Sequence, residues 1–241
     1  GGSSGAGKTG GAPLPLESAR PRLVEELLQA RQLLPRRGAE APPLRPAAGR
    51  RVRIEPVVCD EDWEEMHRIS CGRAVHGHGT YDPQERIWEM LPCGPFPDVP
   101  ALRACPLYAH PSSNPLLIVD LAAERPIGAL AVTEWDGENL TASVEGVWLT
   151  PAARGRRQMV VHEALYLVLC QLFDLNLRRV EVPVDALDII GRRLLSRMGF
   201  TLEGVLRKRR VVRERNRDEA VFALLNSEWC GRGAATGGVR A

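Results

Sequence analysis

Lysine is almost missing from this 241-residue chain: Lys8 and Lys208 are the only two among 32 basic residues, so the positive charge rests on arginine. An arginine excess follows coding bias as readily as function, so a phosphate site has to be argued locally. The net charge of +2 gives no reason to expect a polyanionic partner. Aromatic residues are scarce at 5%. Long apolar runs are missing too. The most apolar segment, 160–175, is broken by His162, Glu163, Gln171 and Asp174, and a membrane helix needs about 20 unbroken apolar residues. No membrane partner is expected. The six cysteines contain no C-x-x-C pair, which argues against a zinc site. A disulfide framework is not expected in an apolar chain of this length. The expectation is reduced thiols, no metal and a cytoplasmic setting. The chain starts with Gly1 rather than Met, which leaves any targeting segment open.

Composition divides what is present. Residues 1–50 are rich in Gly, Pro, Ala and Arg and read as a disordered tail, with one short helical pattern at Val24, Leu27 and Leu28. Residues 51–230 form the expected domain, and 231–241 a loose end. Val52–Val58 reads as a strand. Asp60 is the expected N-cap of a helix carrying Trp63, Met66, His67 and Ile69. Segment 72–115 reads as loops with short helices. Leu116–Asp120, Ile127–Trp135 and Thr141–Leu149 read as an antiparallel meander, with a turn signal at Asp136-Gly137. Gln158–Leu175 has the helical period, and Val180, Val182 and Val184 alternate as a strand. Pro183 has no N–H, so one edge of that strand is open. Ile190, Leu194 and Met198 mark a second helix that stops at Gly199. Phe200–Val212 and Glu219–Leu225 read as a hairpin around Arg213–Asp218. The fold class is mixed α/β (α+β), with a largely antiparallel sheet and one crossover helix.

Three constellations bear on chemistry. Gly2-x4-Gly7-Lys8-Thr9 satisfies the P-loop pattern, but glycines and prolines follow it where a phosphate-binding helix is required. Cys71 with His76 and His78 lacks further metal ligands at useful spacing. The third is the strand-to-helix turn Trp148-Leu149-Thr150-Pro151-Ala152-Ala153-Arg154-Gly155-Arg156-Arg157-Gln158-Met159. Arginines at a helix start oppose the helix dipole by about 0.3–1 kcal/mol each. A bound anion would remove that conflict; a solvated charged turn is the alternative.

Leu149-x-Pro151-x-x-Arg154-Gly155 resembles the acyl-CoA loop of the GNAT acetyltransferase superfamily. Further runs resemble its RimJ/RimL-like branch, the ribosomal-protein N-terminal acetyltransferases. They are Trp88-x-x-Leu91-Pro92-x-Gly94-Pro95-Phe96, Arg178-Arg179-Val180-Glu181, Asp185-Ala186-Leu187, Gly199-Phe200-x-x-Glu203-Gly204-x-x-Arg207 and Arg215-Asn216-Arg217-Asp218. Together they span 52–229. The departures are Arg157 and Met159 where the loop pattern has small residues, Asp188 for a usual Asn, and Leu195 for a usual Tyr that protonates the leaving thiolate.

The resemblance implies a mostly antiparallel GNAT sheet with helices on both faces. It also implies transfer of an acetyl group from acetyl-CoA, as co-substrate, to a peptide N-terminus or small-molecule amine. The amine attacks the thioester directly. Arg154, Gly155, Arg156, Arg157, Gln158, Met159 and Asp188 then hold the cofactor, and a backbone N–H at Trp148 or Leu149 polarises the acyl carbonyl. Glu145 is the favoured base on strand position, with Glu134 and Glu181 as alternatives. Ser196 or water replaces the missing tyrosine acid. Two other readings accompany this one. The first is a non-catalytic acyl-CoA-binding module. The second is a ribosome- or RNA-associated factor using the seven basic residues of 207–217, although no aromatic is interleaved there and nucleic acid is not the expected partner.

Overall fold

The computed structural model describes residues 41–75 and 79–229. The P-loop-like run, the helical pattern near Val24, His76 with His78, and the segment 231–241 lie outside them. The elements in chain order are β1 (Ala47–Ala48), β2 (Val52–Pro56), α1 (Asp60–Arg68), α2 (Pro83–Arg86), α3 (Val99–Arg103), α4 (Pro106–Ala109), β3 (Asn114–Asp120), β4 (Arg125–Asp136), β5 (Thr141–Leu149), a 3-10 turn (Pro151–Arg156), α5 (Arg157–Asp174), β6 (Arg179–Asp185), α6 (Ile189–Met198), β7 (Thr201–Val212) and β8 (Arg215–Leu225). The strands form one sheet in the order β1-β2-β3-β4-β5-β6-β8-β7. All neighbours are antiparallel except β5 and β6, which α5 joins as a parallel crossover. Among the described residues no helix is long and apolar enough to cross a membrane, and no group of three or more His, Cys, Asp or Glu is placed to hold a metal.

Alternation along the strands feeds two cores, one on each face. On β3, Leu116 and Ile118 join the first core, while Leu117 and Val119 join the second. The first is sealed by Val160, Val161, Ala164, Leu165, Val168, Leu169 and Leu172 of α5 and by Leu194, Leu195 and Met198 of α6. The second is closed by the short elements between β2 and β3, through Met66, Ile69, Trp88, Leu102 and Tyr108. Because both faces are covered, the middle strands are apolar at nearly every position, which is why β3 and β4 read as apolar runs.

The Trp88–Phe96 run now has a physical role. Gly94 sits at φ +75°, and a Cβ there would fall 2.3 Å from the Trp88 ring. Phe96 meets the same ring edge-on at 5.1 Å, and the indole N–H donates to Ser70 O at 3.2 Å. The run folds back on one fully buried tryptophan.

Three expectations need correction. The fold starts before residue 51: β1 pairs with β2, and Leu44 is buried in the first core. Cys59, not Asp60, is the N-cap of α1. The capping carboxylate comes from Asp62, which accepts the N–H groups of Val58 and Cys59 at 2.9 and 3.0 Å. The last hairpin turns in two residues, Arg213 and Glu214, both left-handed at φ 52° and 61°. Val212 pairs with Arg215, so β8 begins four residues before the expected Glu219. This is a tight hairpin turn made without the usual Asn-Gly signal.

Candidate active site

The sheet parts between β5 and β6. These strands pair only at Thr141, Ala142 and Ser143 against Arg179, Val180 and Glu181. Beyond Ser143, β5 bulges: Ala129 to Ala131 spans two steps where Trp148 to Glu145 spans three. The extra residue flips the alternation, so Val144 faces the first core and Trp148, four residues on, faces the second. Gly146 makes the bend at φ +62°, and a Cβ there would lie 2.3 Å from Leu107 Cδ2. On the other side β6 stays paired with β8 through Asp185. The open edge expected at Pro183 is the one facing β5. Between them lies a cavity of about 140 Å³, walled by Val144–Leu149 and Val182–Asp185.

One end of the cavity is made by the strand-to-helix turn. The Thr150 N–H is anchored to Ile127 O at 2.8 Å, and the chain then winds through the 3-10 turn into α5. Arg154, Arg157 and Gln158 reach the wall. The first N–H groups of α5 have no side-chain cap, which favours negative charge at this end. Arg157 pairs with Asp188 at 2.7 Å, and Asp188 also caps α6 by accepting the Gly191 N–H at 2.9 Å. Among the described residues Arg154 is exposed and has no ion pair. Arg156 is turned away and pairs with buried Asp120. Gly155 lies off the wall, where an added Cβ would meet nothing. Met159 is 49% exposed and is not on the wall either.

The other end is charged and largely buried. Glu145 accepts from the Thr133 hydroxyl at 2.9 Å and from Arg210 Nη2 at 3.2 Å. Burial pushes its carboxyl above the usual range, against the pull of Thr133 and Arg210. Arg210 also donates through Nε to Glu219. Arg86, Glu89, Met90, Leu91 and Pro92 add the rim above. The alternatives to Glu145 are not on the wall. Glu134 sits at a bulge of β4 and accepts from Ser143 Oγ, and Glu181 is paired with Arg179 at 2.7 Å. Ser196 is not brought to the cavity: its exposed hydroxyl donates back to Arg192 O at 3.1 Å. The preceding residue, Leu195, faces inward and lines the wall, because neighbours on a helix point about 100° apart.

The structure therefore gathers Glu145, Trp148, Leu149, Arg154, Arg157, Gln158 and Asp188, and leaves out Gly155, Arg156, Met159 and Ser196. Sequence reasoning missed Arg210 and Glu219. Both lie in a stretch that reads as a solvated basic ribbon, and only the strand register brings them to Glu145. The ribbon itself is partly neutralised: Arg217 pairs with Asp185 at 2.7 Å, and Arg213 donates to Gln84 O at 2.9 Å.

Solved structures share this architecture. A GCN5-related N-acetyltransferase from Brucella melitensis aligns with TM-score 0.69 and 26% identity, over 85% of this chain and 87% of its own. A protein from Chromobacterium violaceum, assigned to the GNAT acetyltransferases, aligns with TM-score 0.65 and 27% identity, over 81% and 98%. The fold is that of the GNAT acetyltransferases. A third GNAT-fold chain, from T. thermophilus and described as an acetyltransferase, aligns at 29% identity over 79% and 94%, with TM-score 0.60. No family model and no curated protein matches the chain. The GNAT neighbours support acetyl transfer in general terms. Within the GNAT fold, the parted strands and the arginine-bearing helix start occupy one continuous cavity in this chain.

Proposed function

We propose that the protein moves an acetyl group from acetyl-CoA to a primary amine, as an N-terminal acetyltransferase of the RimJ/RimL-like kind. A peptide α-amine is the preferred acceptor and a small-molecule amine the alternative. One observation carries the reading: the gap between β5 and β6 joins an anion-favouring helix start to a buried carboxylate on the same strand. The residues present suit acetyl-CoA. Arg154, Arg157 and Gln158 with the α5 N–H groups offer donors to phosphate, and the unpaired edges of β5 and β6 offer an extended slot for the arm. When bound, acetyl-CoA supplies the thioester whose acyl carbon accepts the amine.

The remaining roles belong to the chain's own groups. Glu145 takes the proton from the incoming ammonium, which frees the nitrogen lone pair to attack. A backbone N–H at Trp148 or Leu149 orients and polarises the acyl carbonyl. The departing thiolate takes its proton from water, because Leu195 offers none. An α-amine with pKa about 8 costs roughly 1.4 kcal/mol to deprotonate at pH 7, against roughly 4.6 for lysine at about 10.4. A single carboxylate base therefore serves α-amines far better. Five cysteines are free thiols among the described residues, which supports a reducing, cytoplasmic setting.

Two measurements test this. At about a hundred times Kd, acetyl-CoA should stabilise the full chain by roughly 2.7 kcal/mol in a melting experiment. Thiol release from acetyl-CoA should then depend on an added free-N-terminus peptide. Leu195 in place of an acid favours one rival, an acyl-CoA-binding module without turnover. Stabilisation with no thiol release across a panel of peptides and small amines would establish that rival. No stabilisation of a folded chain would sink both.

A further inference from the structure

The β7–β8 hairpin is regular at both ends and interrupted in the middle. Leu206 pairs with Glu219 and Arg210 with Arg217, so four steps on β7 face two on β8. Lys208 makes the excursion at φ 52°, and its N–H is tied to Asp218 Oδ1 at 2.8 Å. Residues 207–209 point to solvent, whereas Arg210 is returned half-buried to the cavity wall. Its guanidinium is shared by two carboxylates that are 14% and 9% exposed, Glu145 and Glu219. The groups facing Glu145 come from four elements. They are Thr133 and Glu134 on β4, Arg210 on β7, Glu219 on β8, and Cys93 in the segment leading to α3. Arg210 is the only cation among them.

We propose that Arg210 is a positioning residue: delivered by the β7 bulge, it holds the Glu145 carboxylate ionised and aimed into the cavity, while Glu219 competes for the same guanidinium. The inference rests on Glu145 as the base, but its effect on Glu145 is measurable without any substrate. Burial alone disfavours the charged form, and an opposite charge within about 4–6 Å restores it by roughly 1–3 pH units. The two neighbours therefore act with opposite sign. Removing Arg210 raises the pH at which Glu145 titrates. Removing Glu219 deletes a like charge and leaves Arg210 wholly to Glu145, so the titration falls.

The experiment is carbon-13 NMR titration of glutamate side chains in the full chain, with the Glu145 signal assigned by E145Q. The expected result is an upward move of about one pH unit or more in R210Q, a downward move in E219Q, and a near wild-type midpoint in R210K. The pH profile of thiol release with a free-N-terminus peptide should shift its acid limb in the same directions. R210Q leaves two buried carboxylates without their cation; if it fails to fold, R210K, E219Q and the charge-balanced double variant R210Q/E219Q carry the test. Movement of R210Q and E219Q in the same direction, or no movement in folded variants, overturns the proposal. So does an unshifted midpoint in E219Q when R210Q is unfolded. Correct shifts with an active E145Q would instead defeat the assignment of Glu145 as base and leave the Arg210–Glu145 coupling standing.

Discussion

The β4–β5 and β7–β8 hairpins belong to one sheet, and each breaks its register once near the cavity. The first break lies between two cores. It is made by a glycine with no room for a side chain, and its neighbours are fully packed. The second is made by a lysine in solvent and held by one side-chain contact to the opposite strand. Both deliver a charged residue, Glu145 from one and Arg210 from the other, to the same 3.2 Å contact. A buried bulge is fixed by sterics and an exposed one by a local hydrogen bond. The two should respond differently to substitution.

The sharpest probe of the buried side is E145Q. It should lower kcat/KM by roughly 10²–10⁴-fold in thiol-release kinetics, with the melting temperature nearly unchanged. Retained activity would separate the bulge from the chemistry. Arg154→Ala should weaken acetyl-CoA binding by about 10–100-fold in calorimetry, the worth of a hydrogen bond to a charged partner. Unchanged affinity would move the phosphate site away from the buried hairpin. Gly146→Ala should cost about 1–3 kcal/mol of stability, from left-handed strain and collision with Leu107, seen as a drop of about 2–4 °C per kcal/mol. Lys208→Gly should do the reverse and stabilise by up to about 1 kcal/mol, since glycine adopts positive φ freely. A loss of stability there would show that the exposed bulge is also set by packing. Ser196→Ala, remote from both, should leave kcat within about twofold and stability within about 0.5 kcal/mol.

The strand order and the two long helices were legible because their apolar periods are clean, as in the meander Leu116–Leu149 and in Ile190, Leu194 and Met198. The cofactor loop was legible because arginines at a helix start are locally unfavourable. What escaped depends on register. Val144 and Trp148 are an even number of residues apart and would share a face in an unbroken strand; nothing short of the bulge separates them. Arg210 looks like its neighbours Arg207 and Arg209, and only two extra residues on one strand turn it inward. Ser196 against Leu195 was a choice of helix phase, and one residue is enough to miss a wall. The Arg213-Glu214 turn carries neither asparagine nor glycine, so composition gave no sign of it.

The seam between β5 and β6 has a consequence for the protein's lifetime. Two blocks of sheet are stitched by three residue pairs and the helix that crosses between them. An extended ligand lying in the gap becomes the missing rung. Local opening at the seam exposes backbone to proteases, and a ligand that binds only the closed form suppresses that opening in proportion to its concentration. Well-supplied cells would then keep the protein longer than starved ones, so its abundance would follow the supply of the molecule it consumes.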